Sequence, residues 1–156
     1  MTENKMKIIE PTTLREEIQK EKKERGYFEY TYLLRGEVVP KKNSRITLKN
    51  GRTIPSKKYQ EWHESAMIEM NYQKTQIIKQ KEPLSIPLEI HFTFTHSTKH
   101  RRDSDNAVSS VLDILQDCGI ITDDNWQIVR SYTVKNFFSP EEESNCLINI
   151  YPYEGK

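Results

Sequence analysis

The most regular pattern in the chain is an alternation of apolar and polar residues between Leu88 and Thr95. Apolar residues occupy the even positions and polar residues the odd ones, which predicts a β-strand with one buried face. His91 and His96, within and just after this segment, are assigned no functional role. Three other segments are rich in β-branched and aromatic residues and predict further strands: residues 27–40, 126–137 and 146–151.

A separate signal is the Asn50-Gly51 pair, which lies between two short segments of strand-like composition, residues 46–48 and 52–54. Asn-Gly favours the tight turn that joins antiparallel strands, so this region predicts a β-hairpin. Lys49 and Arg52 flank the turn, which makes the tip of the hairpin basic.

Two segments show the three- and four-residue spacing of amphipathic helices. The first follows Ser56, a favourable N-cap residue, and extends to about Ile78. The second covers Asn106 to Asp117 and stops before Gly119, which suits a left-handed C-cap. The predicted inward-facing residues are Tyr59, Trp62, Ala66, Met67, Met70 and Ile77 in the first helix, and Val108, Val111, Leu112 and Leu115 in the second.

The order of these elements predicts the α+β class, with a mixed sheet of about four to five strands, two helices packed on it and a basic β-hairpin. A chain of 156 residues is long enough for one domain with a substantial core. Residues 1–25 are highly charged, so we expect an N-terminal extension in which a helix starts near Pro11. Residues 26–156 form the predicted folded domain.

Composition argues against several classes of protein. Cys118 and Cys146 are far apart and in no zinc-ligand spacing, so we expect two reduced, buried thiols. The first ten residues are charged and unlike a secretory signal, and no apolar run reaches the roughly 20 residues of a membrane span. We therefore expect a soluble, cytoplasmic protein. No Gly-x-Gly-x-x-Gly or P-loop motif supports a nucleotide cofactor.

The formal net charge of +1 conceals a strong segregation of charge. Seven cations and no acid lie between Pro40 and Gln60, which indicates either a solvated face or a surface that binds a polyanion. A second basic segment, residues 99–102, directly precedes a group of acids, and this combination favours nucleic acid. The candidate DNA-binding residues are Lys41, Lys42, Arg45, Arg52, Lys57, Lys58, Arg101 and Arg102.

Three aspartates form a candidate metal site. Asp103 and Asp105 open the second predicted helix, and Asp124 follows the turn beyond its end. If the chain is still extended at the first two, their carboxylates point to the same side and can share a hard cation such as Mg²⁺. Such an ion would activate water and neutralise charge on a phosphodiester. Arg101 and Arg102 would hold the phosphate, because guanidinium matches its geometry.

Each acidic motif also has a structural interpretation. Asp105 or Ser104 is an ordinary N-cap, and the segment 123–125 (Asp-Asp-Asn) is an ordinary turn. A cap, however, needs only one acid, and this site offers Asp103 as well.

A longer pattern joins these motifs. Residues 100–106 are His-Arg-Arg-Asp-Ser-Asp-Asn, residues 111–115 are Val-Leu-Asp-Ile-Leu, residues 119–124 are Gly-Ile-Ile-Thr-Asp-Asp, and residues 127–129 are Gln-Ile-Val. The pattern resembles the RusA family of Holliday junction resolvases. That family has an Arg-Arg-Asp-x-Asp-Asn signature, a helix ending in Asp-x-Leu, a glycine-containing turn and an Asp-Asp pair before a strand.

The resemblance implies a homodimeric, Mg²⁺-dependent endodeoxyribonuclease. Such an enzyme resolves four-way DNA junctions by paired symmetric nicks in DNA recombination and repair, and it is often phage-encoded. The resemblance places Asp103, Asp105 and Asp124 on the family's catalytic, metal-binding acids. A two-fold homodimer suits this reaction, since two matched cuts need two equivalent sites.

One departure from the family pattern concerns position 109. The family has a catalytic lysine one helical turn after the second acid, and this chain has Ser109. Serine cannot supply the positive charge that stabilises a reacting phosphate, so Lys99, Arg102 or Lys135 would have to compensate. The alternative is a protein of the same fold that binds branched DNA and cuts it slowly or not at all. A third interpretation is a structural module whose aspartates only cap and turn.

Overall fold

The computed structural model describes residues 14–18, 20, 26–41 and 45–155. Its strands and helices follow one another in the predicted order and confirm the α+β class. They are β1 (Tyr30–Arg35), β2 (Arg45–Thr47), β3 (Thr53–Pro55), α1 (Lys57–Tyr72) continued by a π-helical segment (Gln73–Ile78), β4 (Leu88–His96), α2 (Ser104–Asp117), β5 (Val129–Phe138) and β6 (Asn145–Pro152).

The main sheet has four strands in the order β1-β6-β4-β5. β4 lies between an antiparallel neighbour, β6, and a parallel neighbour, β5, so the sheet is mixed, as predicted. Parallel strands need a crossover connection, and α2 supplies it between β4 and β5. The N-terminal end of α2 therefore lies at the carboxyl end of β4, and its C-terminal end lies towards the start of β5.

The core lies between one face of this sheet and the two helices. The alternation predicted for β4 is confirmed, because its even-numbered residues from Leu88 to Phe94 are at most 3% exposed. The four predicted inward-facing residues of α2 are also buried. Burying one such aliphatic or aromatic side chain stabilises the fold by about 1.5–3 kcal/mol. Together these contacts fix the position of α2, and hence of both its ends, on the sheet.

The predicted hairpin is confirmed as a separate two-stranded sheet of β2 and β3. Thr47 pairs with Thr53, and the Leu48 amide donates to the Arg52 carbonyl at 2.8 Å across the turn. Gly51 has φ +83, a left-handed conformation that favours glycine. Ile46 and Leu48 are each at least 40% exposed, so the hairpin projects from the core.

α1 begins as predicted, since the Ser56 side chain accepts a hydrogen bond from the Tyr59 amide at 3.2 Å. Its far end differs from the prediction, because the helix changes to π-helical geometry at Gln73. A π turn contains more residues than an α turn, which rotates the following side chains around the axis. Ile77, predicted to face inward, is therefore 64% exposed, and Ile78 packs against the core instead.

Buried polar contacts anchor the turn that leaves α2. The Tyr32 hydroxyl donates to Gln80 Oε1 at 2.8 Å, and Gln80 Nε2 donates to the carbonyl of Ile120 at 2.9 Å. Lys74 Nζ donates to the carbonyl of Cys118, the C-cap of α2, at 3.0 Å. The predicted left-handed C-cap is confirmed one residue later, at φ +70.

Some other predictions are confirmed, and one strand begins later than predicted. Cys118 and Cys146 are free and buried, as expected. β5 starts at Val129, three residues later than predicted, and Trp126 lies in the preceding turn with 71% of its surface exposed. None of the helices in the described part of the chain is long and apolar enough to cross a membrane.

The predicted N-terminal extension is described only at residues 14–18 and 20, where 14–18 are helical. The predicted helix start near Pro11 lies outside the described residues. The extension as a unit separate from residues 26–156 remains a prediction.

Candidate active site

Asp103 occupies the N-cap position of α2, with extended backbone angles (φ −92, ψ 117). A side chain at this position ordinarily accepts a hydrogen bond from the first turn, but the Asp103 carboxylate makes no such bond. It is exposed, beside the partial positive charge of the helix N-terminus. The prediction of Asp105 or Ser104 as the N-cap is wrong, because the helix begins at Ser104, and Asp103 occupies the cap position without using its carboxylate as a cap.

Asp105 lies in the first turn of α2 and is also exposed. The expectation of an extended chain through both acids is wrong, because the helix already begins at Ser104. The two carboxylates are instead neighbours at one helix end. No hydrogen bond or ion pair among the described residues engages the Asp105 carboxylate.

Asp124 lies beyond the opposite end of α2. The helix has 14 residues, so its length is about 21 Å at 1.5 Å per residue. Asp124 is exposed. Burial raises the pKa of Asp113 in the third turn of α2, and the charges of Asp117 and Asp124 add to this effect. One chain thus holds Asp103 and Asp105 at one end of the helix and Asp124 at the other. Among the described residues, no group of three histidines, cysteines or acids is arranged to hold a metal ion.

The neighbouring acid Asp123 has a different role. Its carboxylate accepts hydrogen bonds from the Asp124 amide at 2.7 Å and from Asn125 Nδ2 at 3.0 Å. Both hydrogen bonds lower the pKa of Asp123, and the bond from Asn125 has the larger effect. Asp123 therefore builds the turn that its neighbour occupies.

A cavity of about 580 Å³ lies beside Asp103. Its wall combines cations with apolar residues from three parts of the fold. The lining residues are Glu37, Val38, Val39, Pro40, Lys58, Phe94, His96, His100, Arg101, Arg102, Asp103 and Ala107. A cavity with a cationic rim next to a free carboxylate can accept a phosphate group.

The two arginines before Asp103 differ in their surroundings. Arg101 is exposed and lines the cavity. The Arg102 guanidinium turns back onto its own segment, where it donates to the carbonyls of Thr98 and His100 and to the Thr98 hydroxyl. Its Nε also lies 2.7 Å from Glu37 Oε1. Arg102 therefore shapes the segment, and Arg101 is the arginine that is open to a ligand.

Sequence reasoning missed Glu37 and His96. His96 Nδ1 lies 2.9 Å from Glu37 Oε1, and His96 Nε2 lies 2.8 Å from Asn136 Oδ1. The signal was in the alternation of β4, because position 96 continues the even-numbered, inward-facing series. A histidine in that series is a polar side chain directed towards the helices and needs partners.

Comparison with known proteins adds to this geometry. The family model described as "Endodeoxyribonuclease RusA" matches residues 35–150. The chain belongs to the RusA family. A protein of Aquifex aeolicus (strain VF5) named "Crossover junction endodeoxyribonuclease RusA" is 26% identical over 117 residues, which cover 75% of this chain and 86% of that protein. The resemblance found in the sequence is thereby confirmed.

Ser109, at the position where the resemblance implies a lysine, is exposed on α2 one turn after Asp105. Of the three cations that would have to compensate, Arg102 is bonded to its own segment and to Glu37. Lys99 Nζ lies 4.8 Å above the Phe138 ring, and Lys135 pairs with Thr93 on the sheet face that points away from the helices. Lys58, in the first turn of α1, shares the cavity wall with Asp103 and is better placed than either.

The remaining basic candidates lie in or near the hairpin and the start of α1 in the sequence. Lys41 Nζ lies 6.0 Å from the centre of the Tyr59 ring, and Lys57 forms an exposed ion pair with Glu61 at 3.8 Å. Arg52 is exposed in the hairpin. Lys42 and the side chain of Arg45 lie outside the described part of the chain.

The two adjacent acids of the turn should respond differently to substitution. We expect Asp123→Ala to lower the melting temperature, because it leaves two hydrogen-bond donors of the turn without their acceptor. Asp124→Ala should leave it within about 2 °C, as for exposed positions whose substitution changes stability by less than about 0.5 kcal/mol. Calorimetry of both variants in EDTA tests this. Equal losses would mean that Asp124 is also a structural residue.

Proposed function

We propose that this protein is a Mg²⁺-dependent endodeoxyribonuclease that resolves Holliday junctions by paired symmetric nicks in DNA recombination and repair. The observation that carries the proposal is the free state of Asp103 and Asp105, two exposed acids beside Arg101 that the fold does not engage. Membership of the RusA family and the name of the Aquifex relative support the same reaction.

The acids suit Mg²⁺ as donors. Mg²⁺ is held by one or two carboxylates while it keeps several waters, and it needs no closed cage of protein ligands. Asp103 and Asp105 would hold the ion, and Asp124 would add a third carboxylate. When bound, the ion supplies an activated water and neutralises charge on the phosphodiester. Arg101 and Lys58 would bind the scissile phosphate from the cavity beside Asp103.

We further propose a homodimer in which each site is shared between two copies. Among the described residues of one chain, Asp103, Asp105 and Asp124 do not form a group of three metal ligands. Two copies related by a two-fold axis, with their α2 helices antiparallel, would place Asp124 of one copy beside Asp103 and Asp105 of the other. The same axis would create two equivalent sites, which paired nicks require.

The edge of the main sheet offers a suitable contact. β5 is an edge strand, so one row of its backbone groups has no neighbouring strand in the described sheet. Four aromatic residues in or near it are at least 49% exposed: Trp126, Tyr132, Phe137 and Phe138. Antiparallel pairing of two β5 strands would cover this edge and set the α2 helices antiparallel.

The basic residues outside the site would contact the junction arms. They are Lys41, Lys42, Arg45, Arg52 and Lys57, and Lys58 and Arg101 continue this surface to the scissile phosphate. Arg102 would act on DNA indirectly, because three hydrogen bonds hold its guanidinium on its own segment and an ion pair holds it on Glu37. Phosphate contacts of this kind are independent of sequence and weaken steeply as salt rises.

The proposed reaction is tested with a synthetic four-way junction and Mg²⁺. We expect paired, symmetric nicks from the unmodified protein. Asp103→Asn should lower the nicking rate by at least about 10³-fold, because loss of a metal ligand removes several kcal/mol of stabilisation from the transition state. Its junction affinity without metal should stay within twofold. Asp117→Asn, which alters an acid bonded to His63 at the other end of α2, is the matched control. Binding without nicks would favour the non-cutting alternative.

Sharing of the sites is tested with mixed dimers. Asp103→Asn and Asp124→Asn should each be inactive alone. In a heterodimer of the two, one shared site carries both changes and the other carries none, so nicking should return to about half of the normal rate, one site of two. Differently tagged variants, co-expressed and purified through both tags, give this heterodimer. Persistent inactivity would place each site within a single chain.

The role of position 109 is tested by restoring the lysine. Ser109→Lys should raise the nicking rate by about tenfold or more, which corresponds to at least about 1.4 kcal/mol of added transition-state stabilisation. Ser109→Gln, similar in length but neutral, is the control and should change the rate little. Equal rates for both variants would mean that position 109 does not face the reacting phosphate.

A further inference from the structure

His96 lies at the centre of a polar network under the segment that carries Asp103. Its side chain is 16% exposed. One ring nitrogen is bonded to Glu37, which follows β1, and the other to Asn136 of β5. Asn136 Nδ2 in turn donates to the Ser104 hydroxyl at 3.0 Å. The imidazole thus links the β4 end to the first residue of α2.

Glu37 extends the same network to the other side of Asp103. Its Oε1 atom lies 2.9 Å from His96 Nδ1 and forms an ion pair with Arg102 Nε at 2.7 Å. Its Oε2 atom is buried and has no partner among the described residues. A buried carboxylate oxygen without a hydrogen bond favours leaving the buried position. The two contacts of Oε1 oppose this and hold the Glu37 side chain in place.

The segment between β4 and α2 is held largely by such side-chain contacts. Arg102 binds the carbonyls of Thr98 and His100 from within the segment. At its start, the Ser97 amide donates to the Ser144 hydroxyl at 2.9 Å. Arg102 and Ser104, the two neighbours of Asp103 in the chain, are therefore both tied to His96, through Glu37 on one side and Asn136 on the other.

We propose that His96 and Glu37 are positioning residues for the metal-binding acids Asp103 and Asp105. The network fixes the backbone on both sides of Asp103 while it leaves the carboxylate free. Glu37 also holds the Arg102 guanidinium through an ion pair. Without it, the guanidinium would compete with a metal ion for the Asp103 carboxylate. This inference rests on the proposed function, because it assumes that these acids hold the ion.

The first test is the dependence of nicking on Mg²⁺. His96→Ala and Glu37→Gln should each raise the Mg²⁺ concentration for half-maximal nicking by about tenfold. Substitution of residues that orient metal ligands weakens metal binding by this order of magnitude. Junction affinity in EDTA should stay within twofold. His91→Ala, on the outward face of the same strand, is the matched control and should match the unmodified protein in both measurements. A Mg²⁺ dependence unchanged in both network variants would overturn the proposal.

A second measurement is independent of catalysis. Hydrogen exchange of the amides of residues 97–104 should accelerate in His96→Ala and in Asn136→Ala, while amides in the centre of β4 keep their protection. Asn136 is exposed on an edge strand, so Asn136→Ala should preserve the fold. It therefore tests the network even if His96→Ala fails to fold. Unaltered exchange in Asn136→Ala would overturn the network as the support of Asp103. If no variant and not even the unmodified protein nicks junctions, the proposed function fails, and exchange still decides the positioning role.

Discussion

The parallel pairing of β4 with β5 constrains the rest of the structure. Parallel neighbours cannot be joined by a tight turn, so the chain must cross over the sheet, and α2 is that crossover. Its buried face locks it to the core, and its two ends are therefore fixed about 21 Å apart. Asp103 and Asp105 lie at the start of this crossover, and Asp124 follows its end in the sequence. The proposed site, with two acids from one copy and one from another, is built on this connection.

Much of the fold could be predicted because the sequence signals were local and unopposed. Strict alternation in β4, Asn-Gly in the hairpin and Ser56 before α1 each correspond to a specific backbone geometry. The π-helical segment could not be predicted in this way. Its geometry is stabilised by tertiary contacts, such as those that Gln73 makes with the backbone of Leu33 at 2.7 and 2.8 Å. The prediction for Ile77 is wrong for this reason, because it rests on a constant helical period.

The candidate site was only partly visible in the sequence. Its acids could be named because they belong to a motif, but their separation depends on which strands pair and in which direction. Glu37 and His96 are 59 residues apart and meet only after β1 and β4 have joined the same sheet. No local pattern reports such a pair. The one sign in the sequence is that position 96 continues the even-numbered, inward-facing series of β4. It indicates a buried polar residue but does not identify its partner.

Hydrogen bonding separates acids that build this fold from acids that the fold leaves available. Asp117 is bonded to His63 at 2.8 Å, and Asp123 closes its own turn. Asp103, by contrast, occupies the N-cap position of α2, but its side chain makes no capping hydrogen bond. A carboxylate kept free at a helix N-terminus forgoes a cap bond that contributes about 1 kcal/mol. Such a loss is expected where the group serves a ligand, which is the role proposed for Asp103.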